Sequence, residues 1–207
     1  MIMENNQLSK LHHLIVYVLD SIDRGVGSVE LVKIIYLIDV AYYRLFGKTL
    51  SGLEYIRYKL GPYTGDIAQV ASELEAMGIL GITITPSSGF SSIPKKTHNL
   101  KRGKLTPELS KEDKVVIENA LKEISNLTPK QLENKAYKTE PMQEILKDEK
   151  KLGKDLYRKP LNFSRIQRDQ FMKNWLENRE KFKKEEILEY DEFLLKEKRE
   201  FAALIRI

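Results

Sequence analysis

Residues 31–80, LVKIIYLIDVAYYRLFGKTLSGLEYIRYKLGPYTGDIAQVASELEAMGIL, hold the order of elements that decides the fold. Leu31, Ile34, Ile35, Ile38, Ala41, Tyr42 and Leu45 recur at the spacing of one helical face and stop at Gly47. That spacing predicts a helix with Ser28 as its N-cap. Residues 55–60 then alternate as Tyr, Ile, Arg, Tyr, Lys and Leu, which suits a short half-buried strand broken by Gly61-Pro62. Thr64 or Asp66 can cap a further helix whose stripe is Ile67, Val70, Ala71, Leu74 and Met77, with Gly78 placed to end it.

Working outward, residues 6–23 predict a first helix with Leu8, Leu11, Leu14, Ile15, Val18, Leu19 and Ile22 on its apolar face, ended by Gly25 and Gly27. It is expected to pack against the helix that follows. On the other side, residues 79–85 are β-branched and alternating, residues 86–94 are rich in Ser, Gly and Pro, and residues 98–106 supply a return strand. These features predict a hairpin with an exposed loop. Three helices come next, two with capping signals at Ser110 and Asp113 and at Thr128-Pro129-Lys130-Gln131, and a third beginning near Glu140-Pro141 with Met142, Ile145 and Leu146 behind it. The expected class is mainly α with a small β-hairpin (α+β): a winged-helix-like helical domain over residues 1–159 plus a long C-terminal helical extension over residues 160–207.

The extension has its own composition. It holds five of the seven phenylalanines and the single tryptophan, with no glycine or proline beyond Pro160. A helix running continuously from Ser164 to Ile205 would span about 60 Å. Phe171, Trp175 and Phe182 fall on one face, and Tyr190, Leu194, Phe201 and Ile205 repeat the spacing. The charges between them are mixed, 11 basic against 10 acidic, so the segment reads as an amphipathic helix or helix pair and not as a polybasic tail. Phe163, Phe171, Trp175, Phe182, Tyr190 and Phe201 are the candidate partner-binding anchors, since aromatic side chains carry much of the energy of protein interfaces. The bland alternative is that they fold back on the body.

Composition narrows the function classes. A chain of 207 residues with 42% hydrophobic and 31% charged residues can bury a real core and lacks the signature of disorder. With no cysteine there are no disulfides, thiolate metal sites or cysteine nucleophiles, and a reducing compartment, the cytoplasm, is the expectation. The apolar run at residues 14–19 is too short to span a membrane, so neither a membrane span nor a signal peptide is expected. His12 and His13 are adjacent, so on a helix their side chains diverge by about 100° and do not share a metal. Gly25-x-Gly27 lacks the third glycine of a dinucleotide cradle. No G-x-S-x-G elbow or H-E-x-x-H pair is present. No cofactor, metal or catalytic residue is expected. Asp39 interrupts an apolar helix and is read as a solvent-facing or capped polar position.

The sharpest charge feature is residues 95–104, where Lys95, Lys96, His98, Lys101, Arg102 and Lys104 occur with no acid among them. Lys95, Lys96, Lys101, Arg102 and Lys104 are the candidate nucleic-acid contacts, since such a hairpin can neutralise several phosphates. Lysines also protect the edges of sheets, and the residues leave both readings open.

The order of Lys33, Tyr36 and Asp39 on one helix, then Gly47, a strand ending in Gly61-Pro62, and a helix ending at Gly78-Ile79-Leu80 resembles the Panacea domain of SocA-like antitoxins, a family that includes phage-associated proteins. The later LTPKQLENKAYKTEPMQEI is similar to the C-terminal part of that family, so the resemblance covers residues 8–159. It implies a non-enzymatic antitoxin that neutralises a cognate protein toxin by direct binding, the toxin being encoded by an adjacent gene. It carries over no contact motif, so Gly61 and Pro62 are fold markers. A winged-helix transcriptional regulator, with DNA as a secondary partner, and a proteolytic adaptor that delivers a toxin to a protease are the alternatives. No membrane partner is expected, and the homo-oligomeric state is left open. If the aromatic extension supplies the toxin contacts, truncation after Lys159 should abolish co-purification with the toxin; unchanged binding would sink that expectation.

Overall fold

The computed structural model describes residues 8–86 and 94–170. The chain divides into two compact units, Met1–Arg168 and Asp169–Ile207, and the elements below belong to the first. It is a mixed fold of six α-helices, among the described residues, and two small antiparallel sheets.

Helix α1, Lys10–Ile22, starts after Ser9, whose hydroxyl lies 2.8 Å from Nδ1 of His12. It therefore begins four residues later than the periodicity predicts. It ends at Asp23, which takes a left-handed conformation (φ 54°) that aspartate tolerates, so the turn precedes the two glycines expected to make it. Strand β1, Val26–Gly27, pairs with Thr97 and His98 of a later strand. The approach is close: a Cβ on Gly25 would stand 2.6 Å from Thr97 Cγ2 and 2.7 Å from Asn99 Oδ1, so only glycine fits there.

Helix α2, Ser28–Phe46, is the axis of the domain. Gly27 and not Ser28 takes the N-cap position, with its N–H donated to Glu30 Oε2 at 3.2 Å. The Ser28 hydroxyl lies 3.0 Å from His98 Nε2 instead. All ten residues from Leu31 to Val40 are buried, not one face of them. A helix buried all round must be surrounded, and α2 touches β1 and five other elements described below. Consequently α1 packs mainly on the later helices Asp66–Ala76 and Lys111–Ile124 and the strand Lys95–Leu100, and α2 mainly on the helices Lys111–Ile124 and Pro129–Tyr137, so the expected α1–α2 pairing is not the main contact of either.

After α2 come β2 (Ile56–Tyr58) and β3 (Gly61–Tyr63), then α3 (Asp66–Ala76) with Ile67, Val70, Ala71 and Leu74 buried. Met77 follows the helix and is 40% exposed, so it leaves the stripe predicted for it. Strands β4 (Leu80–Thr85) and β5 (Lys95–Leu100) pair from Leu80↔Leu100 to Thr85↔Lys95, giving the sheet order β1-β5-β4. The return strand thus starts at Lys95 and ends at Leu100, earlier than residues 98–106, because this register puts Leu80 and His98 inward and Lys95 and Lys96 in solvent.

Helices α4 (Lys111–Ile124) and α5 (Pro129–Tyr137) begin where their caps predict, and α6 (Glu140–Leu152) begins at the Glu140-Pro141 expected to open it. Ser110 Oγ accepts the Asp113 N–H at 3.1 Å, and Thr128 with Gln131 forms a full capping box ahead of Pro129. A 3-10 turn at Phe163–Arg165 then gives way to extended backbone at Ile166, which is buried along with Leu161. This interrupts the helix expected from Ser164; its course beyond Gln170 lies outside the described residues. No helix among the described residues is long and apolar enough to cross a membrane.

Three polar side chains on α2, spaced by three residues, point into the packed interior. Lys33 Nζ donates to the Pro62 carbonyl at 2.7 Å, Tyr36 Oη lies 2.5 Å from Thr139 Oγ1, and Asp39 accepts the Ser51 N–H at 2.9 Å, the Ser51 hydroxyl and the Tyr55 hydroxyl at 2.7 Å. Asp39 is fully buried, which corrects its reading as solvent-facing: it caps the loop between α2 and β2 from within. Burial pushes its carboxyl up, and the Ser51 and Tyr55 donors oppose that shift. Asp39→Ala leaves these donors without an acceptor and is expected to cost about 3 kcal/mol in urea unfolding, whereas Tyr55→Phe, which strands nothing, costs about 1 kcal/mol.

Candidate interaction surface

The β2–β3 hairpin is built from IRYKLGPY, residues 56–63. Tyr58 pairs with Gly61, so Lys59 and Leu60 form a two-residue tip. Neither tip residue has a positive φ; the left-handed position is Gly61 at 97°. A Cβ there would meet the Tyr137 ring at 3.3 Å and Lys33 Nζ at 3.5 Å. Pro62 has no N–H to give a ladder but keeps a carbonyl, and that carbonyl receives Lys33. Gly61-Pro62 therefore opens a return strand where the sequence pattern predicts a break.

The chain comes back along the other edge of β2. Arg57 N–H donates to the Lys159 carbonyl, Arg158 N–H to the Arg57 carbonyl, and Leu161 N–H to the Tyr55 carbonyl, each at 2.8 Å. The burial phase of β2 is the reverse of a simple apolar strand: Arg57 is buried and Ile56 only partly so. Arg57 is held by Glu149, with Nε to Oε1 at 3.0 Å and Nη2 to Oε2 at 3.4 Å, and its guanidinium lies 5.5 Å from the Tyr137 ring centre and 5.4 Å from that of Tyr157. Nη1 also donates to the Tyr58 carbonyl. Both members of the Arg57–Glu149 pair are almost fully shielded, so removing either would leave a buried charge.

Above this buried frame stands an exposed aromatic cluster. Tyr58 lies 5.1 Å from Tyr63 and 6.5 Å from Tyr157, ring centre to ring centre, and Leu60 sits at the tip between the two strands. The sequence reading missed it, because alternation does not say which face of the strand is buried and Tyr157 is far away in the chain. The available signal was Tyr58, Leu60 and Tyr63 crowded round one Gly-Pro turn.

The residues singled out beforehand fall elsewhere. Phe163 is half-buried and packs its ring at 5.6–5.8 Å from Tyr36, Tyr43 and Tyr55. Phe171, Trp175, Phe182, Tyr190 and Phe201 lie outside the described residues. Lys95 and Lys96 are exposed on β5, and Lys101, Arg102 and Lys104 are exposed after it. Arg102 is shared between Asp20 (3.3 Å) and Asp23 (2.7 Å) at the end of α1. His98 is buried, and desolvation lowers its pKa, so it adds no charge to that face. Of the adjacent pair, His12 meets Glu73 at 3.0 Å while His13 Nδ1 accepts the Glu108 N–H at 3.1 Å. Among the described residues no group of three or more His, Cys, Asp or Glu is placed to hold a metal.

Burial lowers the Lys33 ammonium from 10.5 to about 8; Glu133 opposes the shift and Arg57 adds to it. An amine with a lowered folded pKa stabilises the fold above its unfolded pKa and loses that contribution as pH falls toward the folded value. The stability of the wild type relative to Lys33→Met should therefore rise by about 2 kcal/mol from pH 7 to pH 10. A difference that stays flat with pH in urea titrations would contradict the buried setting of this amine.

The family model described as antitoxin SocA-like, Panacea domain, matches residues 31–142, more than half of the chain. That span begins in α2 and ends in the first turn of α6, narrower than the 8–159 inferred from the motifs. Comparisons with curated proteins and with solved structures give no significant match.

Proposed function

The chain belongs to the SocA-like antitoxin family with a Panacea domain, and from that membership we propose that it neutralises a cognate protein toxin, encoded by the adjacent gene, by binding it directly. The observation that carries this reading is the family match across α2, both hairpins, α3, α4 and α5. The family suggests a non-enzymatic role, and steric blocking requires a complementary surface with no reacting group. The domain offers such a surface in the aromatic hairpin held on a buried ionic frame. The C-terminal segment with Phe171, Trp175, Phe182, Tyr190 and Phe201 is proposed as a second set of anchors. Phe163 serves the body, since its ring already packs on three tyrosines.

A second reading draws on the β1-β5-β4 sheet and the exposed Lys95, Lys96, Lys101 and Lys104. The order α1-β1-α2-α3-β4-β5 suits a winged-helix-like arrangement, and a basic wing suits autoregulatory DNA binding. The charge of Arg102 is largely answered by Asp20 and Asp23, which leaves this the weaker of the two.

Co-expression with the product of the adjacent gene tests the main reading. Growth should be rescued and the two proteins should co-purify, and Phe171→Ser with Trp175→Ser should weaken the complex at least tenfold. No rescue and no complex would overturn neutralisation by binding. DNA affinity that falls steeply with salt and with Lys95→Glu/Lys96→Glu would then favour the second reading.

A further inference from the structure

We propose that the tip of the β2–β3 hairpin is the docking site for the protein partner, and that it receives an apolar depression rimmed by carboxylates on that partner. This rests on the reading that the chain binds a protein toxin, and it names the surface that does so. Eight large apolar side chains are exposed among the described residues, and four of them meet here: Tyr58 (40%), Leu60 (50%), Tyr63 (38%) and Tyr157 (46%). The other four, Val29, Met77, Ile84 and Leu152, are scattered over separate elements. A contiguous aromatic cluster on a surface marks an interaction site, whereas single exposed apolar residues do not.

The cluster is rigid before any partner arrives. Lys33 grips Pro62 from below, Arg57 is fixed by Glu149, and residues 158–161 are bonded along β2. Three tyrosines have few torsions to lose, so little ordering cost accompanies their burial.

The occupant follows from charge. Lys59 and Arg158 are exposed beside the tyrosines, and among the described residues neither has a carboxylate partner. Of the acids near the cluster, Glu149 is taken up by Arg57, and Asp155 stands in solvent beside Tyr157, whose hydroxyl it pushes up in pKa. A second copy docked here by two-fold symmetry would bring the same cations face to face, which disfavours self-association. Two cations among four apolar groups also differ from the continuous basic track of a single-strand groove. An acidic rim around an apolar pocket satisfies both halves of the patch.

The test uses the full-length chain and the product of the adjacent gene, with affinity and association rate measured by biolayer interferometry. Tyr58→Ser/Leu60→Ser should weaken binding about 100-fold, while Lys59→Glu/Arg158→Asn should slow association about tenfold at low salt, with little effect at high salt. Asparagine is chosen because Arg158 has a φ of 65°, which asparagine accepts. If the serine variant lowers the urea midpoint, the charge variant alone decides. Wild-type affinity in both variants overturns the proposal and leaves direct neutralisation standing; no binding by the wild-type chain overturns both. Three other outcomes also overturn it: a free dimer that these substitutions dissociate, an oligonucleotide that requires the same residues, or slow hydrogen exchange at residues 56–63 that Phe171→Ser/Trp175→Ser releases. The last would assign the hairpin to the C-terminal segment of the chain itself.

Discussion

The polar stripe Lys33, Tyr36 and Asp39 along the buried helix α2 is the constraint on which the rest of the domain depends. Each group has been taken out of water and must find its bond inside the protein, and each finds it on a different, distant piece of chain. Lys33 holds the β2–β3 hairpin, Tyr36 holds the start of α6 through Thr139, and Asp39 holds the loop that leads to β2. An all-apolar α2 would bury as much area but would specify none of these positions, because hydrophobic contact has no direction. The stripe converts a greasy axis into a register mark for three segments.

A second buried ionic site extends that logic outward. Arg57 and Glu149 are shielded together, and Glu149 Oε1 also accepts the Leu156 N–H at 2.9 Å. The pair ties the hairpin to α6 and to the return segment before Pro160. A buried ion pair is weak evidence for net stability, since its desolvation offsets much of its attraction. Its evident effect here is positional: it fixes the backbone that carries Tyr58, Tyr63 and Tyr157 at the surface. For the protein-binding role proposed above, a preformed aromatic surface is worth more than an extra kcal/mol of folding energy.

The two basic regions show how context redistributes charge that looks uniform in sequence. Residues 95–104 read as one cationic block, yet His98 turns inward, Arg102 is drawn to two aspartates on α1, and Lys95 and Lys96 remain in solvent. Alternation along β5 does the first of these and the end of α1 does the second. The unpaired cations beside the aromatic hairpin are fewer, but they adjoin the apolar side chains that would be buried with them.

Local chemistry made much of this protein legible from its sequence. Helix positions followed from apolar spacing, the starts of α4 and α5 followed from Ser110 and Thr128, because a cap satisfies backbone groups within one turn, and that of α6 followed from Glu140-Pro141, because proline suits the first helical turn. The family was legible too, since its signature is an order of such local elements. Tertiary structure decided what depends on distant partners. It made Asp39 a buried acceptor, turned Gly61-Pro62 from a break into a strand, and set the phase of β2 so that Arg57 faces in and Tyr58 faces out. It also brought Tyr157 to Tyr58 across 99 positions of sequence. Periodicity reports which residues share a face, but which face is buried depends on what packs against it, and for β2 that is Glu149, Tyr137 and the returning chain at residues 158–161.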